Sequence, residues 1–227
     1  MGQKVPATAL RIGINKYWQS RWFFSKKPTV FLEADYWIRE IIKKNFPKAG
    51  VIEVIIERKS LDHSKIIIQT AKPGLLIGKE GQLLKELIKK IEKKVNPIFI
   101  KNKMTPPTID IDVIEAKKPF LSAMYLAELA GHDLERGFNT RKILKRIIER
   151  AKQHKEILGI KIKAKGRLDG STIKRSETVS WGRIPLSKLT ADIDYAQLPI
   201  LTKYGILGIK VWLYRGDKDT YTEDASA

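Results

Sequence analysis

The chain has 227 residues, 43% of them hydrophobic, enough for one large domain or two modest ones with their own cores. A net charge of +19, from 44 Lys and Arg against 25 Asp and Glu, favours a polyanionic partner, above all nucleic acid. The lack of cysteine excludes disulfides, thiolate nucleophiles and cysteine-ligated zinc. No apolar run approaches the ~18 residues of a membrane-spanning helix, and no signal peptide opens the chain. A soluble, intracellular protein without membrane contact is therefore expected.

Residues 1–28 are predicted to form a basic and aromatic N-terminal arm rather than a packed element. Cations such as Arg11 and Lys16 alternate with aromatic residues such as Tyr17 and Trp22. This mixture suits base stacking combined with phosphate contact. The alternative is that the aromatic rings insert into the core of this protein or of a neighbouring one, and both interpretations can hold for different residues.

Residues 29–116 are predicted to form a compact α+β domain in the order helix–strand–strand–glycine loop–helix–strand. A proline at position 47 ends the first helical pattern, and the second helix carries leucine and isoleucine at helical spacing. The predicted elements are helices at 29–46 and 82–94 and strands at 51–57, 65–71 and 109–114, with a polar segment at 93–108 before the last strand.

Gly78-Lys79-Glu80-Gly81 is the most informative motif of the chain. Two glycines that flank two polar residues between helical segments make a tight turn, which a sugar-phosphate backbone can approach closely, as in the K-homology (KH) module. A P-loop would place four residues between its first glycine and the Gly-Lys pair and a Ser or Thr after the lysine. Here only 75–77 intervene after Gly74 and Glu80 takes the hydroxyl position, so nucleotide hydrolysis is not expected.

Two pairs of carboxylates invite a metal or acid–base interpretation. Asp110 with Asp112, and Asp192 with Asp194, lie in alternating apolar and polar runs, which place both acids of a pair on the solvent face of a strand. The three histidines are far apart in the sequence and show no ligand spacing. No metal, cofactor, small-molecule substrate or catalytic residue is predicted.

Residues 117–216 are predicted to form a second α+β domain, in which two helices pack on an antiparallel or mixed sheet. The sequence Lys117-Lys118-Pro119 marks the junction, and 217–227 are predicted to be a short disordered tail. The predicted elements are helices at 119–136 and 139–155 and strands at 159–168, 178–186, 190–195 and 208–214, with turns at Gly170, Gly182, Pro199 and Gly205.

The second of these helices is sharply divided into an apolar and a basic side. Glu149 is its only acid, so ion pairing along the helix cannot neutralise the basic side. Charge of one sign at this density repels itself, which favours an anion-binding surface over a merely solvated one. The apolar stripe consists of Ile143, Leu144, Ile147, Ile148 and Ala151, and the cations are Arg141, Lys145 and Lys152 opposite it and Lys142, Arg146 and Arg150 beside it.

Several collinear motifs make the chain resemble the family of the universal third protein of the small ribosomal subunit. They cover nearly the whole chain up to about residue 216, which makes them far more specific than the glycine loop alone. The motifs are Met1-Gly2-Gln3-Lys4-Val5 with Arg11-Ile12-Gly13-Ile14, Thr70-Ala71-Lys72-Pro73-Gly74 through Gly81, Lys165-Gly166-Arg167-Leu168 to Arg175-Ser176-Glu177, Gly182-Arg183-Ile184-Pro185-Leu186, Ala191-Asp192-Ile193-Asp194-Tyr195, and Tyr204-Gly205 through Gly208-Ile209-Lys210-Val211-Trp212.

The resemblance implies a type-2 KH domain, then the family's C-terminal domain, in the head of the small subunit beside the entrance of the messenger channel. Expected partners are ribosomal RNA, messenger RNA and the tenth and fourteenth small-subunit proteins, in the cytoplasm of a bacterium or in an organelle. The implied role is structural and not enzymatic, and includes positioning and unwinding messenger RNA during translation.

The resemblance also assigns residues. The glycine loop and the basic helix are expected to bind RNA, although Glu80 replaces an often basic residue and Lys142 stands where Arg is common, which loses bidentate phosphate geometry. The candidates are Gly78, Lys79, Glu80 and Gly81 for the loop; Arg141, Lys142, Lys145 and Arg146 for messenger RNA; and Lys4, Arg11, Lys16, Trp22, Lys72, Lys165, Arg167, Lys174, Arg175 and Arg183 for ribosomal RNA.

Two alternative functions remain at this point. A free-standing KH-type RNA chaperone or ribosome-assembly factor would bind short single strands without a ribosome. A nuclease or lyase would need a carboxylate–metal cluster or an activated lysine, and the sequence offers neither convincingly.

Overall fold

The computed structural model describes residues 5–23 and 27–217, apart from the side chain of Glu80. They belong to two compact units: the central unit, residues 18–119, and the terminal unit, which combines residues 1–17 with 120–227. The predicted tail therefore lies almost entirely outside the described residues, as does Lys4. The terminal unit is built from both ends of the chain.

The central unit has the helix and strand order predicted for a type-2 KH domain. Its sheet has the order β1-β2-β3-β4, in which β2 and β3 are antiparallel while β3 with β4 and β1 with β2 are parallel. The elements are β1 (Ser20–Arg21), α1 (Pro28–Asn45), β2 (Val51–Ser60), β3 (His63–Thr70), α2 (Pro73–Ile77), α3 (Gln82–Lys101) and β4 (Thr108–Glu115).

Helix α3 is longer than predicted and takes up part of the segment expected to be polar and irregular. Pro97 lies inside it, where it removes one backbone hydrogen bond. The helix continues because Val95 and Phe99 extend its apolar stripe and are buried. Phe99 packs edge-on against Phe31 of α1 with ring centroids 5.5 Å apart. This burial outweighs the local cost of the proline.

A buried ion pair lies in the core of the central unit. Asp35 of α1 and Arg58 of β2 are each 4% exposed, with 2.5 Å between Oδ1 and Nη1. Trp22 Nε1 donates to Asp35 Oδ2 at 2.9 Å, and Arg58 Nε donates to Ser64 Oγ at 2.9 Å. Burial lowers the pKa of Arg58, and the charge of Asp35 opposes that shift. Trp22, predicted to contact ribosomal RNA, is thus held by the protein's own core.

The terminal unit confirms two helices packed on an antiparallel sheet of order β6-β5-β8-β7. Both helices lie on one face, where their apolar stripes meet buried residues of β5 and β8. The elements are α4 (Ala123–Glu135), α5 (Thr140–Lys152), β5 (Gly159–Gly166), β6 (Arg175–Gly182), β7 (Ala191–Thr202) and β8 (Gly205–Asp217).

Strand β7 runs through Pro199, which was predicted to be a turn residue. Pro199 pairs with Gly208 inside the strand. The fold tolerates it because β7 is at the edge of the sheet, where the missing N–H costs no ladder hydrogen bond. Strand β6 also differs from prediction: it begins at Arg175 and ends at Gly182.

The carboxylate pairs differ in their surroundings. Asp110 and Asp112 are exposed, as predicted. The prediction was wrong for Asp192, which is 3% exposed, because the pairing register shifts between Ala191 and Ile193 at the start of β7. Its carboxylate accepts a hydrogen bond from Arg215 Nη2 at 3.1 Å and lies 3.5 Å from the ammonium group of Lys16.

The predicted arm is packed over residues 5–17, and Arg11 is fully buried there. Its guanidinium donates to the carbonyl oxygens of Ala7, Leu186, Lys188 and Ala191 at 2.7–3.1 Å. Burial lowers the pKa of Arg11, and the charge of Asp192 opposes that shift. The prediction that Arg11 contacts ribosomal RNA is therefore wrong, because its side chain is fully buried and four of its five N–H donors are used inside the protein.

Lys16 is held in a similar way. Its ammonium group lies 3.5 Å from Asp192 Oδ1 and 3.6 Å from Asp194 Oδ1, and its side chain is 22% exposed. The lysine predicted to meet a phosphate thus meets two carboxylates of β7. Tyr17, Trp18 and Phe23 are exposed, whereas Trp22 packs against the core. Insertion into this protein's own core therefore applies to Trp22 alone among those four.

Replacing Asp35 by Ala is expected to lower the free energy of unfolding by about 3–5 kcal/mol, because it leaves the buried Arg58 charge without its partner. Glu33→Ala, which removes an exposed carboxylate from the same helix, is the control and should change it by less than about 0.5 kcal/mol. Urea denaturation of both variants measures the difference. Equal unfolding curves would show that the pair does not stabilise the core.

Replacing Arg11 by Ala is expected to lower the free energy of unfolding by about 3 kcal/mol, since several buried carbonyl oxygens lose a charged donor. Amide hydrogen exchange across residues 8–16 should accelerate in this variant and stay unchanged in Lys155→Ala, which removes an exposed cation from the same unit. Unchanged exchange in Arg11→Ala would contradict the role given to the guanidinium.

Candidate nucleic-acid interface

Helix α5 is fixed by its apolar stripe and by two caps at its N-terminus. Asn139 Oδ1 accepts a hydrogen bond from the Lys142 backbone N–H at 3.2 Å. Asp169 Oδ1 accepts from the backbone N–H of Thr140 at 2.8 Å and from its hydroxyl at 3.0 Å. The five predicted stripe residues are all buried, so the orientation of the helix is set and its opposite side faces solvent.

The basic helix face, defined as Arg141, Lys142, Lys145 and Arg146, lies on this exposed side. In the part of the chain that the structure describes, no carboxylate lies within ion-pair distance of Arg141, Lys142 or Lys145, whereas Arg146 pairs with Asp133. Three of the four predicted cations therefore remain available to an external anion.

The position of these cations is electrostatically unfavourable for the isolated protein. Arg141 and Lys142 occupy the first turn of α5, where the positive end of the helix dipole disfavours cations by about 0.3–1 kcal/mol each. The carboxylate of Asp169 at the cap offsets part of this cost. A bound phosphate would offset the rest, since helix N-termini favour anions.

The glycine loop joins α2 to α3 through backbone conformations that suit glycine. Gly78 has φ 71° and ψ −170°, and a Cβ there would lie 2.6 Å from Leu83 Cγ. Gly81 has φ 73° and precedes the first residue of α3. Gly78 is thus required by both backbone and packing, and Gly81 by backbone alone. The effect of the Glu80 side chain on the loop stays a prediction.

The surroundings of the glycine loop combine apolar and cationic groups. Lys72 and Lys79 are exposed beside it. Leu75 is 48% exposed, Ile77 38% and Leu83 39%, which is unusual for large apolar side chains next to a tight turn. Such a surface can contact bases through its apolar groups while the lysines meet phosphates.

The other predicted ribosomal RNA contacts divide into two groups. Those near the N-terminus are used inside the protein or lie outside the described residues, as given above. Arg167 is exposed and donates through Nε to Ser171 O at 3.0 Å. The exposed candidates, whose RNA contacts stay predictions, are Lys72, Lys165, Arg167, Lys174, Arg175 and Arg183.

Three cations on the outer face of the terminal sheet were missed: Lys161, Lys163 and Lys210. Alternation in β5 indicates that Lys161 and Lys163 share a face. The pairing of β5 with β8, which brings Lys210 opposite Lys163, joins residues far apart in the sequence. No local pattern reveals such a pairing, so the cluster became visible only in the structure.

The carboxylates of the described residues do not form a metal site. Over residues 5–23 and 27–217, no group of three or more His, Asp or Glu residues could hold a metal ion, and no helix in those ranges is long and apolar enough to cross a membrane. Asp110 and Asp112 pair instead with His63 and Lys65, across 3.4 Å and 2.8 Å. The hydrogen bond to Asp112 raises the pKa of Lys65, the opposite of what an activated lysine needs.

Comparisons with known proteins agree with this architecture. A KH-domain family model matches residues 37–121, and the model of the C-terminal domain of ribosomal protein S3 matches residues 131–213. Similar proteins include small ribosomal subunit protein uS3 of Thermosipho melanesiensis, 39% identical over 96% of this chain and 100% of its own length. The uS3 of Xanthomonas oryzae pv. oryzae is 41% identical over 96% of this chain and 84% of its own length. The uS3 of Carboxydothermus hydrogenoformans is 40% identical over 96% of this chain and 93% of its own length.

A KH fold with exposed cationic surfaces defines the molecule as an RNA-binding protein. The matches over both domains and nearly the full length are more specific. The chain belongs to the uS3 family of small ribosomal subunit proteins.

Binding of the isolated chain to single-stranded RNA is expected to weaken steeply with salt, because phosphate contacts release counterions. With about four phosphates neutralised, affinity should fall roughly 50-fold between 50 and 200 mM salt. Fluorescence anisotropy of a labelled oligonucleotide at several salt concentrations measures the slope. A flat response would mean that the exposed cations do not bind phosphates.

Proposed function

We propose that this protein is a structural component of the small ribosomal subunit that binds ribosomal RNA and uses the basic helix face to hold and unwind messenger RNA. The observation that supports this role is the exposed group of Arg141, Lys142 and Lys145, which lacks neighbouring carboxylates among the described residues. Membership of the uS3 family supports the ribosomal setting.

The mechanism is electrostatic and needs no nucleotide hydrolysis by this chain. Cations on a rigid helix attract the phosphates of a strand as it separates from its partner, which makes re-pairing less favourable. Arg141 can bind a phosphate through two N–H groups, whereas Lys142 and Lys145 act as point charges. The work of strand separation comes from movement of the messenger through the ribosome.

The remaining parts of the proposal concern location and neighbours. The protein is proposed to lie in the subunit head at the entrance of the messenger channel, beside the tenth and fourteenth small-subunit proteins, in the bacterial cytoplasm or an organelle. The glycine loop then makes a local contact with ribosomal RNA or with a neighbouring protein. The free-standing chaperone has no observation in its favour that the ribosomal role does not also explain.

The test replaces Arg141, Lys142 and Lys145 by Ala in ribosomes and compares translation of a messenger carrying a stable hairpin with that of an unstructured one. The ratio of the two rates should fall roughly fivefold, equivalent to ~1 kcal/mol of lost phosphate attraction. Subunit assembly should be unaffected, because these side chains are exposed and pack against nothing in the core.

The matched control replaces three exposed lysines of the central unit, Lys43, Lys44 and Lys48, by Ala. It removes the same charge and should leave the rate ratio unchanged. Equal ratios for wild type, test variant and control would overturn the messenger role, while leaving the ribosomal assignment intact.

A further inference from the structure

The terminal sheet has an outer face that the helices do not cover. Ile160, Ile162 and Ala164 of β5 are buried against α4 and α5, so the residues between them point the opposite way. In β8 the same alternation directs Lys210 outward. The lysine face is defined as Lys161, Lys163, Lys165 and Lys210.

The register of the sheet places these cations side by side. Lys163 is directly opposite Lys210, Lys161 is opposite Trp212, and Lys165 is opposite Gly208. Like charges in opposed positions on neighbouring strands destabilise a sheet. Lys163 and Lys210 are both half-buried, which increases that cost. The arrangement is therefore one that an external anion would stabilise.

Among residues 5–23 and 27–217, the neighbours of the lysine face include no acid that could serve as this anion. Its neighbours on the outer face are hydroxyl residues of β6 and uncharged residues of β7. In the described ranges, none of the four ammonium groups lies within ion-pair distance of a carboxylate. The neighbours, read from the strand pairing, are Ser176, Thr178, Ser180, Gln197 and Pro199.

An aromatic pair borders the lysine face at one end. Trp212 packs against Tyr195 with ring centroids 5.4 Å apart, and the ammonium group of Lys161 lies 5.7 Å from the centre of the indole. The next outward residues, Ile193 and Tyr214, are buried with Ala7 of the N-terminal segment. The outer face of the sheet is thus covered by the N-terminal segment beyond the aromatic pair, and it is accessible to solvent at the lysines.

This composition favours RNA over an acidic protein as the occupant. Lysine is depleted from the centres of protein–protein interfaces, and here lysines form the centre while the exposed apolar residues Leu201 and Ile206 lie at one edge. Lysines with hydroxyl groups and an aromatic ring at the side match a sugar-phosphate backbone with a base or ribose against the ring.

We propose that the lysine face is a second RNA-binding surface, which takes the backbone of an RNA strand, and that the terminal unit binds two RNA segments at once. The basic helix face is on α5, whose buried stripe faces the sheet, so its cations point away from the sheet. The two cationic surfaces consequently lie on opposite sides of one two-layer unit. RNA on one side leaves the other side accessible.

This inference rests on the proposed RNA-binding function but not on messenger unwinding. One surface can hold a fixed RNA segment while the other contacts a moving one, because the rigid helix–sheet layer separates them.

The test uses the full chain and a fluorescein-labelled 12-nucleotide oligouridylate as the probe, at low salt. The sheet variant carries Lys163→Gln, Lys165→Gln and Lys210→Gln, the helix variant Arg141→Gln, Lys142→Gln and Lys145→Gln, and the control Lys43→Gln, Lys44→Gln and Lys48→Gln. Native mass spectrometry gives the number of strands bound, and anisotropy gives the affinities and salt slopes. Unchanged unfolding midpoints confirm that the variants are folded.

Wild type and control are expected to bind equal numbers of strands, and each of the other variants one strand fewer. Binding of a strand at the lysine face should be at least tenfold weaker in the sheet variant than in the wild type. The salt slope of binding at that face should fall by about 2, since three phosphate contacts are lost. Acetylation of Lys163, Lys165 and Lys210 in the wild-type protein should be suppressed by the oligonucleotide.

The outcomes separate this inference from the proposed function. If the sheet variant binds as many strands as the control, or the wild type binds only one, the lysine face is not an RNA site. If the probe leaves acetylation of the three lysines unchanged while polyglutamate suppresses it, the face binds an acidic protein and the inference is wrong. Loss of the second strand in the sheet variant alone, with the helix variant unaffected, supports the lysine face and removes the basis of the messenger role.

Discussion

Repulsion among surplus cations is the constraint on which the rest of this structure depends. A chain with a net charge of +19 folds only where its buried charges have partners and the others stay apart or meet an anion. The buried cations have partners of two kinds: Arg58 is paired with the carboxylate of Asp35, and Arg11 donates to backbone carbonyl oxygens. The remaining cations are on surfaces with few acids, which is why the exterior is adapted to RNA.

The two units use this charge in different ways. In the central unit a glycine loop lets a backbone approach closely, with Leu75 and Leu83 exposed beside it. The terminal unit relies on regular elements, a helix and a sheet, whose geometry fixes the spacing of cations. Fixed cations need no rearrangement to meet a phosphate, which favours binding.

Local patterns predicted what depends on local chemistry. Helical spacing in α5 correctly predicted the buried stripe and hence the exposed cations. Alternation correctly predicted that Asp110 and Asp112 face solvent. Features set by distant partners were missed. Arg11 was predicted to be a surface cation because three of its four acceptors lie 175–180 positions away. Asp192 was predicted to be exposed because a register shift cannot be read from alternation. The lysine face needed a strand pairing that sequence does not display.

The joining of both chain ends in one unit has a consequence for the order of folding during synthesis. Residues 18–119 are complete long before the ribosome has made β7 and β8, so the central unit can fold early. Arg11 is made before the central unit, yet Ala191 and Leu186 must emerge before its guanidinium has those acceptors. Residues 5–17 therefore reach their native place only after residues 186–191 have been made.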